Sequence, residues 1–200
     1  MLEGKISSSS SSKPTSRQQL FSDLLEQVKA VISGEPSYIA NCSNVSSLIF
    51  HALNENSDLF DASRNGAAQA VNWAGFYLVD RAKKREKGID ELVLGPFQGK
   101  VACIRIDFAR GVCGRCARTG ETVVVRDVHE FPGHIACDSA SNSEIVVPIF
   151  AGNENKRQLV GVLDVDSPNL GQFEDFETRE CFEKICEALS RECDFHVHSE

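Results

Sequence analysis

The chain has 200 residues, 42% of them apolar and 25% charged, enough for one domain with a real core and too few for two. Its 21 Lys plus Arg face 29 Asp plus Glu, a net charge of −8 with no basic cluster to offset it, which argues against nucleic acid and anionic membrane surfaces as partners. No signal-peptide core or membrane-length apolar run is visible, so the expected location is cytoplasmic. There, eight cysteines mean buried packing, metal binding or redox chemistry rather than a disulfide framework.

In chain order, Ser7–Ser12 reads as part of a disordered tail over residues 1–15, with one domain over 16–197. Leu20, Phe21, Leu24, Leu25, Val28 and Ile32 recur at helical spacing before Gly34. After Pro36, Ile39, Val45, Leu48, Ile49 and Leu53 mark a second helix, and Leu59–Gln69 reads as a loop. Trp73–Val79, a charged turn over Asp80–Gly88 and Glu91–Leu94 form a hairpin. Strand-like runs follow at Cys103–Phe108, Thr122–Val125 and Glu144–Phe150. The last is joined through a turn at Asn153–Gln158 to Leu159–Val165. Phe176, Phe182, Ile185 and Leu189 place a helix within Phe173–Cys193. Strands and helices do not alternate, so the fold class is α+β. A largely antiparallel sheet carries the N- and C-terminal helices on one face and leaves the other for a pocket under long loops.

Cys42, Cys181, Cys186 and Cys193 lie in helical stretches and read as small buried hydrophobes. Cys103, Cys113 and Cys137 sit in polar or glycine-rich settings. Cys113-Gly-Arg-Cys116 is open to three readings. A thioredoxin-like motif needs a βαβ context that is missing here. A Cys₃His zinc set would add His134 and Cys137. In the third reading Cys113 belongs to a GVCG motif and Cys116 is incidental. Asp164 and Asp166 alternate about Val165 and share one strand face, as do Trp73 and Tyr77 four residues apart. His129 and His134 read as loop hydrogen-bonding residues.

The strings NWAGFYLV, GPFQGKVACIRI, ARGVCG, DVHEFPGHIACDSASNSEIVVPIF and GVLDVDS together resemble the free methionine-R-sulfoxide reductases, over nearly everything after the serine tail. The resemblance implies a single GAF domain and an L-methionine (R)-S-oxide reductase. It places the nucleophile on Cys137, the resolving thiol on Cys103, and a further exchanging thiol on Cys113. It assigns substrate binding to Glu144, Asp164 and Asp166, with an aromatic wall of Trp73 and Tyr77. No bound cofactor and no metal are expected. The implied reductant is thioredoxin, fed by NADPH through thioredoxin reductase, and a homodimer is left open. Two departures stand out: Cys116, where relatives usually lack a cysteine, and Ala109, where glycine is common.

These residue types suit the reaction. A thiolate attacks the sulfoxide sulfur, an acid protonates the departing oxygen, and a second thiol condenses with the resulting sulfenic acid. Clustered carboxylates match a free amino acid's ammonium, and their mutual repulsion keeps a proton available. Which carboxylate donates it, and whether Cys103 or Cys113 resolves the intermediate, stay open. The competing readings are a non-catalytic ligand- or redox-sensing GAF module and a zinc-stabilised interaction domain.

Overall fold

The computed structural model describes residues 13–60, 69–133, 138–152 and 156–195. The serine run, most of the Leu59–Gln69 connection, His134, Cys137 and residues 153–155 lie outside the described residues. Two serines start the N-terminal helices. The Ser16 hydroxyl accepts from the Gln19 N–H at the head of α1 (Arg17–Ile32), and Ser37 accepts from Ala40 at the head of α2 (Tyr38–Glu55). Asp175 does the same, from Thr178, for α5 (Phe176–Glu192). The apolar stripes read from the sequence become the buried faces: Leu20, Leu24, Val28 and Ile32 on α1, Val45, Ile49 and Leu53 on α2, Phe182, Ile185 and Leu189 on α5.

The strands are β1 (Trp73–Val79), β2 (Glu91–Gly99), β3 (Arg105–Asp107), β4 (Val123–Val125), β5 (Ser143–Ala151) and β6 (Gln158–Ser167). They form one antiparallel sheet in the order β3-β2-β1-β6-β5-β4. Two stretches with no helix expected from the sequence are helical, one of them read as a turn and the other given no element. Asp80–Gly88 contains α3 (Arg81–Lys87), capped by the Asp80 carboxylate on the Lys83 N–H. The cysteine pair lies on α4 (Gly111–Thr119).

That second helix positions the site. β3 and β4 are opposite edges of the sheet, so the chain must cross the whole sheet between them, and α4 makes the crossing. Strand alternation divides the side chains between two cores. Ala74, Phe76, Ile145, Val147, Leu163 and Val165 pack with α1, α2 and α5. Trp73, Tyr77, Val146 and Val162 face the other way, with Val112, Cys113 and Cys116 of α4. The expected one-sided packing of the terminal helices is therefore observed, and the opposite face is roofed by a helix as well as by loops. Among the described residues no helix is long and apolar enough to cross a membrane.

Candidate active site

Strand register assembles the carboxylates. Glu144 of β5 lies directly opposite Asp166 of β6, and Val146 lies opposite Asp164. On the other side of β6, Asp166 faces Trp73 and Asp164 faces Gly75. Three acids thus occupy adjacent positions on one sheet face, although like charges directly opposite one another destabilise a strand pair. Glu144 and Asp164 are each only 6% exposed, and Asp166 is half-buried at the rim.

Gly75 separates the two predicted aromatics on the pocket face. A Cβ there would lie 2.6 Å from Trp73 Cη2 and closer still to Phe97. Its absence lets the indole fold over the strand, stacked on Tyr77 at 5.8 Å and on Phe97 at 5.3 Å between centroids. The Trp73 Nε1–H donates to the Lys100 carbonyl at 3.2 Å, which fixes the ring's tilt.

Gly114 performs the matching service on α4. A Cβ at this position would meet the Asp107 carbonyl oxygen at 2.5 Å, so only glycine lets the helix settle against the end of β3. Cys113 beside it then points at the acids, with Sγ 3.3 Å from Asp164 Oδ2 and 3.8 Å from Glu144 Oε1. The thiol is the donor. Burial first, then the charges of Asp164 and Glu144, push its pKa well above the usual thiol range.

The same burial holds protons on the acids. Glu144 is pushed well up by burial and by Asp164 and Asp166, and Asp166 by burial and by Asp164 and Asp138. Asp164, raised by burial but assisted by the Cys113 and Glu144 hydrogen bonds, is pushed up to about 7. Burial and mutual repulsion thus favour the protonated form of these acids. Asp164 Oδ1 is buried and has no hydrogen-bond partner among the described residues. It lines the same recess as Trp73, Tyr77, Cys103, Cys113 and Ser141.

The 138–142 loop closes one side. Asp138 accepts from the Ala140 N–H, from Asn72 Nδ2 at 3.3 Å and from Lys100 Nζ at 3.3 Å, which hold its carboxyl below the usual range. Asn72 also donates to Ser141 Oγ at 2.9 Å. His129 Nε2 lies 3.0 Å from Asn142 Oδ1, the loop-bracing role expected of it.

The profile described as GAF domain matches residues 44–193. The free methionine-R-sulfoxide reductase of Escherichia coli (strain K12) is 42% identical over 159 residues, 80% of each chain. The Saccharomyces cerevisiae protein of the same name is 38% identical over 179 residues, 90% of this chain and 88% of that one. The chain belongs to the free methionine-R-sulfoxide reductase family. A family structure from Neisseria meningitidis, solved in complex with its substrate, superposes with a TM-score of 0.73 at 36% identity, over 90% of this chain and 91% of that one.

For this member of the free methionine-R-sulfoxide reductases, seven of the sequence-predicted site residues line one pocket: Trp73, Tyr77, Cys103, Cys113, Glu144, Asp164 and Asp166. The eighth, Cys137, lies outside the described residues, next to Asp138, which lines the pocket. Cys103 is half-buried and Cys113 buried. In the Cys₃His zinc set, His134 and Cys137 lie outside the described residues. Cys116 is fully buried among apolar side chains and does not join the polar group of Cys113, Glu144 and Asp164. Cys42, Cys181 and Cys186 are packed core thiols whose pKa values burial pushes up, as the helical spacing predicts. Sequence reasoning missed Phe97, Asp138, Ser141 and Asn72. All four stand inside the family strings, but their roles depend on pairings that no local pattern reveals.

Proposed function

We propose that the chain reduces free L-methionine (R)-S-oxide to L-methionine through a cysteine sulfenic acid and an intramolecular disulfide. The observation that carries this reading is the group of three acids on one sheet face, beside a stacked aromatic wall and below a thiol. A free amino acid has an ammonium to match the acids, an S-methyl group to lie on the aromatic faces, and an S–O group to accept a proton. The unpartnered Asp164 Oδ1 is a ready acceptor for the ammonium or the protonated sulfoxide. The E. coli, yeast and Neisseria relatives bear the name of this activity.

The steps balance without any bound cofactor. The Cys137 thiolate attacks the substrate sulfur, a pocket carboxyl protonates the sulfoxide oxygen, and methionine leaves as the oxygen passes to sulfur as Cys137–SOH. A second thiol condenses with the sulfenic acid, forming S–S and releasing water. Cys103, half-buried at the pocket, suits that role and remains within reach of a protein reductant. Cys113 is buried and held as a neutral thiol by its acidic neighbours, a poor setting for exchange. Thioredoxin's dithiol then reduces the disulfide, its own oxidation being reversed by NADPH through thioredoxin reductase.

The test is NADPH consumption in a coupled system of enzyme, thioredoxin and thioredoxin reductase. The R epimer of free methionine sulfoxide should be turned over and the S epimer left behind. Equal rates on both epimers, or no thioredoxin-dependent rate on either, would remove the proposal.

A further inference from the structure

We infer that Cys113, Glu144 and Asp164 form a binding site for a divalent transition-metal ion of the zinc type, which excludes the amino-acid substrate while it is bound. One atom from each residue lies within 4.8 Å of the others, and all three residues are buried. Geometry favours a tetrahedral ion. Bonds of about 2.3 Å to sulfur and 2.0–2.2 Å to oxygen set the sulfur–oxygen edge of a tetrahedron at about 3.5–3.7 Å. The two edges present here are 3.3 and 3.8 Å. Both sulfur–oxygen edges lie within about 0.2 Å of that range.

A second observation points to a ligand at this place. Asp164 Oδ1 is buried without a hydrogen-bond partner among the described residues, in a carboxylate whose other oxygen takes the thiol. A buried acceptor without a partner is costly, and a cation held at Oδ2 lowers that cost by neutralising the charge of the same carboxylate. The donor set also decides the class of ion. One thiolate with two carboxylates suits zinc or cobalt; magnesium and calcium take oxygen ligands only. The ion replaces the thiol proton of Cys113 and any proton held by Glu144 or Asp164, all of which leave to solvent, and offsets the mutual repulsion of the acids. The fourth position opens on the pocket, where the substrate would lie.

Metal binding itself does not depend on the proposed activity; the exclusion of substrate does. The test uses Co²⁺ added to the reduced, chelator-treated protein. A near-ultraviolet thiolate-to-cobalt absorption band should saturate at one equivalent and vanish on adding Zn²⁺. Cys113→Ser should lose the band, while Cys103→Ser and Cys137→Ser keep it. Asp164→Asn should weaken Co²⁺ binding at least about tenfold, as loss of a direct ligand exceeds the usual effect of a supporting residue. Circular dichroism on each variant confirms that it is folded, and Glu144→Gln replaces any variant that is not. A band that survives Cys113→Ser but disappears in Cys103→Ser or Cys137→Ser, or no band at all, would overturn the site. Saturating methionine-R-sulfoxide should bleach the band; an undiminished band would overturn the exclusion. The spectrum needs no turnover, so failure of the metal site is distinguishable from failure of the reductase reading.

Discussion

Replacing Asp164 by Asn should stabilise the protein at neutral and alkaline pH while damaging its activity. The substitution keeps the shape of the side chain and deletes a charge from the centre of the acid group. The carboxyl of Asp164 moves from its ordinary 3.8 to about 7 on folding, so between those values the native state binds more protons than the unfolded chain. Stability is then present in full below pH 3.8, declines as pH rises, and levels off above about 7. At 1.36 kcal/mol per pH unit the whole loss is about 4 kcal/mol, most of it between pH 5 and 8. Asn does not titrate, so Asp164→Asn escapes the loss. Its melting temperature should exceed the wild type's by a margin that grows by about 5–10 °C from pH 5 to pH 8, on the usual scaling for a chain of this length. The assay is thermal unfolding of both proteins across that range, with a chelator present to keep metal ions out. A margin that does not change with pH, or a wild type that gains stability relative to Asp164→Asn on going to pH 8, would refute the assignment of a buried, proton-holding carboxyl.

Other consequences follow from the same geometry. Cys137→Ser should abolish turnover in the thioredoxin-coupled assay, and wild-type turnover in that variant would show that another atom accepts the oxygen. Cys103→Ser should still release about one methionine per enzyme in a single turnover while its steady-state rate falls, because only the second half-reaction needs another thiol. Absence of that first product would place Cys103 earlier in the reaction. Cys186 of α5 is buried in the core that α1, α2 and α5 form with the sheet. Cys186→Ser should cost about 1–3 kcal/mol in denaturant unfolding by burying a hydroxyl, and leave the rate per folded molecule unchanged. N-acetylation of the substrate removes the charge that the acids match, so kcat/KM should fall at least about tenfold. Equal efficiency on free and acetylated substrates would rule out recognition of the ammonium.

Elements with strong local signals were legible from sequence. The α1 and α2 stripes, the Trp73–Val79 strand and the hairpin of β5 with β6 each bury a regular apolar series. The two missed helices lack such a series. α3 buries none of its seven residues, so nothing apolar marks its period; the Asp80 cap and terminal Gly88 define it instead. α4 carries two glycines and two cysteines, a composition that reads as a loop, and becomes helical because Val112, Cys113, Cys116 and Ala117 are covered by the sheet. Tertiary burial decides such a segment where propensity does not.

The site divides along the same line. Alternation about Val165 was enough to put Asp164 and Asp166 on one face, but their burial depends on Trp73 lying opposite Asp166 and on α4 crossing above, both matters of long-range pairing. Family strings named Cys113 without assigning it a neighbour. The structure makes it a hydrogen-bond donor to two acids, a chemically different station from a thiol awaiting exchange. That difference bears on the division of labour among the cysteines. A thiol fixed among carboxylates resists ionisation, which protects it from oxidation and stations a neutral donor beside the acids. The half-buried Cys103 lines the same pocket nearer to solvent. Local sequence around each cysteine is glycine-rich and polar alike. What separates a sulfur that organises the acids from one that can leave the pocket for a reductant is the depth to which each is carried, and that depth is set by Gly114 allowing α4 to approach the end of β3.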